Sequence, residues 1–240
     1  MTLKPNKCEF ANAEIDYLGH HIGQGKVQPR EAKIEAIVNF PRPVNRKQIQ
    51  SFLGLAGYYR KFVPHYSHLA ANLSNLLKKN VTFQWTDEAE IAFWDIKSRL
   101  ASRPILRSPN FDLPFCIAVD ASDLALGSVL FQVVDEVEHP ICFYSKKLNV
   151  HELKYSTVEK EALALVMSVR VFSVYFNTSP VVIYSDHKPL QFLRKMYNHN
   201  AKLTRWRLEL EEYDLDVRHR AGKDNLLPDL LSRSVVKEAV

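Results

Sequence analysis

The stretch Phe115-Cys116-Ile117-Ala118-Val119-Asp120 most narrows what this chain can fold into. Phe115, Ile117 and Val119 recur at every second position, with Cys116, Ala118 and Asp120 between them, which is the period of a half-buried strand. A carboxylate at the end of such a strand, on the face with the small side chains, has little water around it. It needs a cation, a hydrogen-bond donor or a shifted pKa. Taken alone, Asp120 also reads as a solvated acid opening a turn through Ala121-Ser122-Asp123. Three further acids later in the chain weigh against that reading.

The sequence around this strand describes an α+β domain. A second strand is expected through Gly127–Gln132, an acidic turn at Asp135-Glu136, and a third strand at Pro140–Ser145, together an antiparallel meander. Ser156-Thr157-Val158-Glu159 is a capping box, so a helix starts there and runs through Leu163, Val166, Val169 and Phe172. A fourth strand, Val181–Asp186, leads into a helix from His187. Another helix is expected around Leu203–Glu212, a last strand at Leu215–His219, and a short helix near Pro228, a residue suited to a first helical turn. The order βββαβααβα builds a mixed sheet flanked by helices. This domain is assigned to residues 110–236, with the boundary between about Ser102 and Leu113.

Residues 1–104 differ in pattern. A hairpin region is expected over Lys4–Val27, with Tyr17–Ile22 as a strand closed by Gly23-Gln24-Gly25. Four short helices follow. The first is opened by Pro29 and Arg30 and the second is capped by Asn45 and ended by Pro64. The third spans Ser67–Lys79, and the fourth starts at Thr86 and ends at Pro104. Tyr58 runs through Tyr59 into Arg60 and Lys61, and basic with aromatic groups on one helical face suit a nucleic-acid backbone. The same residues are also compatible with solvated faces around an apolar core.

Four acids stand out in the second half. Asp120 ends its strand, Glu161 lies in the first turns of the long helix, Asp186 ends the fourth strand and Asp229 opens the terminal helix. Glu159 is explained by the capping box, whereas the neighbours of Glu161 one and two turns on, Leu165 and Val169, are apolar, so Glu161 leans inward. Asp186 and Asp229 are each also compatible with an acid favoured by a helix N-terminus. Carboxylates from separate elements directed at one spot repel unless divalent cations neutralise them. Oxygen ligands without a His or Cys cluster suit Mg²⁺ or Mn²⁺ rather than zinc. Two such ions can activate a water and stabilise the leaving oxygen of a phosphodiester.

Composition excludes several classes. Among 240 residues no apolar run approaches the roughly 20 that a membrane helix needs, and the N-terminal residues lack the apolar core of a signal peptide. Cys8, Cys116 and Cys142 are scattered, with no Cys-x-x-Cys pair, and read as reduced thiols of an intracellular protein. A net charge of +5 permits a polyanionic partner.

Several collinear motifs resemble a known family. Leu3-Lys4-Pro5-Asn6-Lys7-Cys8-Glu9-Phe10, Tyr17-Leu18-Gly19-His20, Ser51–Phe62 and Phe83-Gln84-Trp85-Thr86 are similar to the thumb and connection of a gypsy-type LTR retrotransposon reverse transcriptase. Val119-Asp120-Ala121-Ser122, Tyr155–Glu161, Tyr184–Leu190 and Asp229–Arg233 are similar to its RNase H domain. The resemblance implies an RNase H-like five-stranded mixed sheet preceded by a small hairpin-plus-helices module. It places the family's catalytic, metal-binding acids on Asp120, Glu161, Asp186 and Asp229, with two Mg²⁺ ions (or Mn²⁺). The implied reaction is endonucleolytic cleavage of the RNA strand of an RNA–DNA hybrid, leaving a 3′-hydroxyl and a 5′-phosphate. The hybrid is expected to touch Tyr58, Arg60, Lys61, His187 and Lys188. Further implied partners are the polymerase palm and the rest of a polyprotein, in a cytoplasmic particle with nuclear access. The palm's paired aspartates have no counterpart here, so polymerisation by this chain alone is not expected. The rival reading is an inactive remnant or host-adopted scaffold that keeps the fold and the binding surface. The sequence departs from the family pattern at Ala125, often glycine, and Pro228, commonly alanine. His219 is read as structural rather than as a mobile histidine of the site.

Overall fold

The computed structural model of the chain describes residues 12–79, 81–102, 106–177, 179–186 and 201–221. Asp229, His187 and Lys188, and the helices expected from His187 and near Pro228, lie outside them.

Two sheets organise the chain. The first is antiparallel, in the order β1 (Glu14–Tyr17), β2 (His20–Gly23), β3 (Lys26–Pro29) and β4 (Leu106–Arg107). Here the expected hairpin is corrected. Tyr17–Ile22 is not one strand, because the chain reverses at Leu18-Gly19, both at positive φ (45° and 77°). Tyr58 and Tyr59 hold that reversal by donating their hydroxyls to the Leu18 and Gly19 carbonyls. Gly19 meets the left-handed requirement without a Cβ penalty.

Helices α1 (Glu31–Val38), α2 (Arg46–Tyr58), α3 (Tyr66–Leu69), α4 (Ala71–Asn75) and α5 (Asp87–Ala101) follow, with a 3₁₀ turn at Arg60–Phe62. The Asn45 side chain caps α2 by accepting from the Gln48 N–H, and Thr86 caps α5 by accepting from the Ala89 N–H. Asp87, Glu88 and Glu90 in the first turn of α5 suit its dipole. The single helix expected over Ser67–Lys79 is two short ones that meet at Ala70-Ala71.

The second sheet is mixed and five-stranded, in the order β7 (Val137–Lys147), β6 (Ala125–Val134), β5 (Phe115–Ala121), β8 (Val181–Ser185) and β9 (Leu215–His219). The β6–β7 turn has Asp135 and Glu136 at φ 51° and 63°, matching the twist of a tight two-residue hairpin. Pro140, which has no N–H to donate, is accommodated in the edge strand β7 beside a register shift opposite Leu130/Phe131. Helix α6 (Thr157–Phe176) starts at the complete Ser156/Glu159 capping box, and α7 (Ala201–Leu210) packs beside it.

Each face of this sheet carries its own core. Phe115, Ile117 and Val119 pack with Val166 and Phe172 of α6 and Trp206 of α7. Cys116, Ala118, Val129, Phe131 and Phe143, on the opposite face, join a cluster containing Ile37, Phe52, Phe93 and Leu100 from the N-terminal helices. The small side chains of β5 therefore face the N-terminal module, and their size lets its loops come close.

Candidate active site

Parallel pairing sets two acids side by side. β5 and β8 pair with Ala118 opposite Tyr184, so Asp120 and Asp186 each follow the last registered pair by two residues. Adjacent strands lie about 4.8 Å apart. Asp120 is half-buried and Asp186 is exposed.

Glu161 comes to the same place from the first turns of α6 and is only 5% exposed. The Ala121 backbone N–H donates to its carboxylate. Its Oε2 has no hydrogen-bond partner among the described residues. Burial first, then the charges of Asp120 and Asp186, push its pKa up to about 8. Three of the four sequence-identified acids thus act on one another electrostatically. The fourth, Asp229, lies outside the described residues, and among those residues no group of three or more His, Cys, Asp or Glu side chains is drawn together tightly enough to hold an ion.

The turn after Asp120 is fixed by its own side chains. The Ser122 hydroxyl accepts from the N–H groups of Leu124 and Ala125 (3.3 and 3.0 Å) and donates to the Ala125 carbonyl at 2.9 Å. Ala125 itself is buried and opens β6, so the missing glycine leaves an ordered turn. Lys160, buried beside Glu161, donates at 2.8 Å to Asp123 and ties this turn to α6. That bond holds the Asp123 carboxyl below its usual range.

The site was not fully visible in sequence. Pro64 and His65, from the loop before α3, line a small cavity of about 10 Å³ together with Asp120, Gly127, Ser128 and Phe143. His65 has φ 50°, and burial lowers its pKa although the Asp120 charge opposes this. The Ser128 hydroxyl is buried without a partner among the described residues. His219 ends β9 opposite Ser185, next to Asp186 in the same sheet edge.

Of the expected nucleic-acid contacts, Tyr58, Arg60 and Lys61 are among the described residues. Tyr58 is 52% exposed but its hydroxyl is engaged by Leu18. Lys61 leans inward over the Phe62 ring, and burial lowers its pKa. Arg60 is exposed.

The donor set fits a hard divalent cation. It is all carboxylate, one buried oxygen lacks a partner among the described residues, and the burial and the charges of Asp120 and Asp186 that raise the Glu161 pKa are what such a cation offsets.

The mixed five-stranded β7-β6-β5-β8-β9 sheet with flanking helices is an RNase H-like fold. Residues 110–213 match the family described as the RNase H-like domain found in reverse transcriptase. Over 99% of its length the chain is 41% identical to the retrovirus-related Pol polyprotein from transposon 297 of Drosophila melanogaster, covering 22% of that protein. It is 36% identical over 95% of its length to the transposon Tf2-3 polyprotein of Schizosaccharomyces pombe, covering 18% of it. The chain therefore spans about a fifth of these relatives. Among solved structures, the foamy viral protease-reverse transcriptase in complex with RNA/DNA hybrid aligns with a TM-score of 0.71 at 23% identity, over 95% of this chain and 31% of that one. The dRH form of the foamy viral enzyme with double-stranded DNA gives 0.72 at 22% identity, over 86% of this chain and 38% of that one. At these identities the likeness shows the fold.

Proposed function

We propose that the chain hydrolyses the RNA strand of RNA–DNA hybrids endonucleolytically, as the RNase H part of a retrotransposon reverse transcriptase. The observation that carries this reading is Glu161, a buried carboxyl with an unpartnered oxygen, pushed up to about 8 beside Asp120 and Asp186. A structural carboxylate is normally hydrogen-bonded at both oxygens or paired with a cation. Here burial and like charge are concentrated at an edge that solvent reaches through Asp186, as expected of a site completed by metal and substrate.

Asp120, Glu161, Asp186 and Asp229 would hold two Mg²⁺ ions, with Mn²⁺ as a substitute. Such ions supply an activated water and charge stabilisation for the leaving 3′-oxygen. Asp120 is held by β5 and the Ser122 turn, and Glu161 by the Ala121 N–H and the capped helix. Lys160 fixes the spacing of these two elements. Asp186, the most exposed of the three described acids, faces the side from which substrate arrives. The hybrid-bound state of the foamy viral enzyme, which shares this fold, supports a hybrid as partner. Recognition would rest on backbone shape and 2′-hydroxyls.

The test is cleavage of a labelled hybrid in Mg²⁺, beside EDTA and the Asp120→Asn variant. Cleavage abolished by both is the expected result. Hybrid binding without cleavage by the wild-type chain would replace this reading with that of an inactive scaffold.

A further inference from the structure

Lys147, at the end of β7, is a cation whose hydrogen bonds among the described residues go to neutral oxygens. Its Nζ lies 2.8 Å from Asn75 Oδ1 and 3.5 Å from Ser74 Oγ, both on α4. Burial, then the charge of Lys78, lowers its pKa, so the ammonium sits in surroundings that do not compensate it. Arg60 lines the same open groove of about 450 Å³, with the side chains of Tyr66, Ser67 and Ser74, and no acid is among its lining residues. The Ser74 and Tyr66 hydroxyls donate to the Ala71 and Leu53 carbonyls, so what the groove offers is two cations, the Ser67 hydroxyl and no carboxylate among its lining residues, which suits an anion. A guanidinium fork beside an ammonium is a phosphate-binding pair.

The groove's position identifies the anion's source. Asp120 pairs with Gly127, and Gly127 with Ser145, so β7 lies two strands, about 10 Å, from the acids. Lys147 is two residues beyond Ser145, opposite Ala125, toward the same end of the sheet as Asp120 and Asp186. It also shares the face of Phe143 and Ser145, which is the face turned to the N-terminal module. A polynucleotide with one phosphate at the acids has neighbouring phosphates within reach of this groove.

We propose that Arg60 and Lys147 form a phosphodiester site, shared by the two modules, that holds the nucleic-acid strand beside the acidic edge. The site's occupant rests on the nuclease reading; its chemistry does not. The alternative role for Lys147 is a purely structural tie between β7 and α4.

The experiment measures hybrid binding by the 240-residue chain in EDTA, where no cleavage occurs. The Arg60→Gln/Lys147→Gln double variant is expected to reduce the slope of log Kobs against log[salt] by about 0.7–0.9 per lost phosphate contact, while Lys147→Arg retains it. A single methylphosphonate is then walked along the RNA strand or the DNA strand. Wild-type binding should weaken at a position near the cut site, and the double variant should be indifferent there. The strand in which this happens identifies the one held. An unchanged slope in a folded double variant, no masked position in either strand, or no hybrid binding by the wild type would overturn the proposal. Failure of the nuclease reading shows separately, as binding and slope intact in a wild-type chain that never cleaves in Mg²⁺.

Discussion

The imidazole of His65 lies against the backbone of Gly127. A Cβ placed on Gly127 would stand 2.7 Å from His65 Nδ1 and 2.8 Å from Cε1, closer than real Cβ contacts allow. Gly127 is the pairing partner of Asp120, so the loop before α3 touches the strand beside the candidate catalytic acid. This contact predicts that Gly127→Ala destabilises the chain by about 1–3 kcal/mol through overpacking. His65→Gly should recover most of that loss. It removes the ring and, at φ 50°, also the strain of a left-handed side chain. A double-mutant cycle by denaturant unfolding measures the coupling. Strict additivity would mean that the two residues do not meet.

Glu161 predicts an unusual pH dependence for the metal-free chain. Its folded pKa, about 8, lies above the ordinary 4.5, so the folded state binds more protons than the unfolded state between those values. The stabilisation it gives is fully present below about pH 4.5 and is lost as pH rises through 8, on the order of a few kcal/mol. Glu161→Gln should flatten the dependence and be more stable than wild type at pH 8. Thermal unfolding in EDTA at several pH values checks both statements.

The same group predicts the response to metal. At pH 8 the wild-type Tm should rise on adding Mg²⁺, because an ion that binds only the folded state stabilises it by mass action. Glu161→Gln should show a smaller rise. Equal rises in the two chains would place the ion elsewhere.

Ser156→Ala removes the hydroxyl that accepts from the Glu159 N–H and donates to the Glu159 carboxylate, but keeps the backbone N–H that also donates to that carboxylate, which bonds Lys202 on α7 as well. The expected cost is about 1 kcal/mol, equivalent to a Tm decrease of about 2–4 °C. Hybrid affinity, measured in EDTA, should stay unchanged, since neither residue meets the proposed phosphate site.

Much of this architecture was legible in the sequence because its signals are local. The caps Asn45, Thr86 and Ser156 and the last strand Leu215–His219 stand in the structure as expected. Phe115–Asp120 is a strand whose side chains alternate between faces, but it is buried on both faces rather than half-buried, because the N-terminal helices cover the side with the small residues. Errors arose where distant residues decide. The Leu18-Gly19 reversal is held by the hydroxyls of Tyr58, at the end of α2, and Tyr59, just after it, 40 positions away. Within Tyr17–Ile22 only Gly19 marks a turn, and a lone glycine in a strand-like run does not fix one. The break at Ala70 has no Gly or Pro to announce it. Ser67, in the short α3, instead bonds Ser145 on β7 through its backbone N–H at 2.8 Å. At the site, the mutual influence of Asp120, Glu161 and Asp186 followed from element ends and helical periodicity. His65 and Lys147 did not, because their roles come from packing of the N-terminal helices on the sheet, which no local pattern encodes.

The decisive measurement is single-turnover cleavage of a hybrid labelled separately in each strand, comparing wild type with Glu161→Gln in Mg²⁺ at matched hybrid occupancy. The expected result is cutting of the RNA strand alone, with 3′-hydroxyl and 5′-phosphate ends, slowed roughly 10²-fold or more by the substitution. Cleavage at an undiminished rate in Glu161→Gln, or equal cutting of the DNA strand, would contradict the assignment of this edge as a ribonuclease H centre.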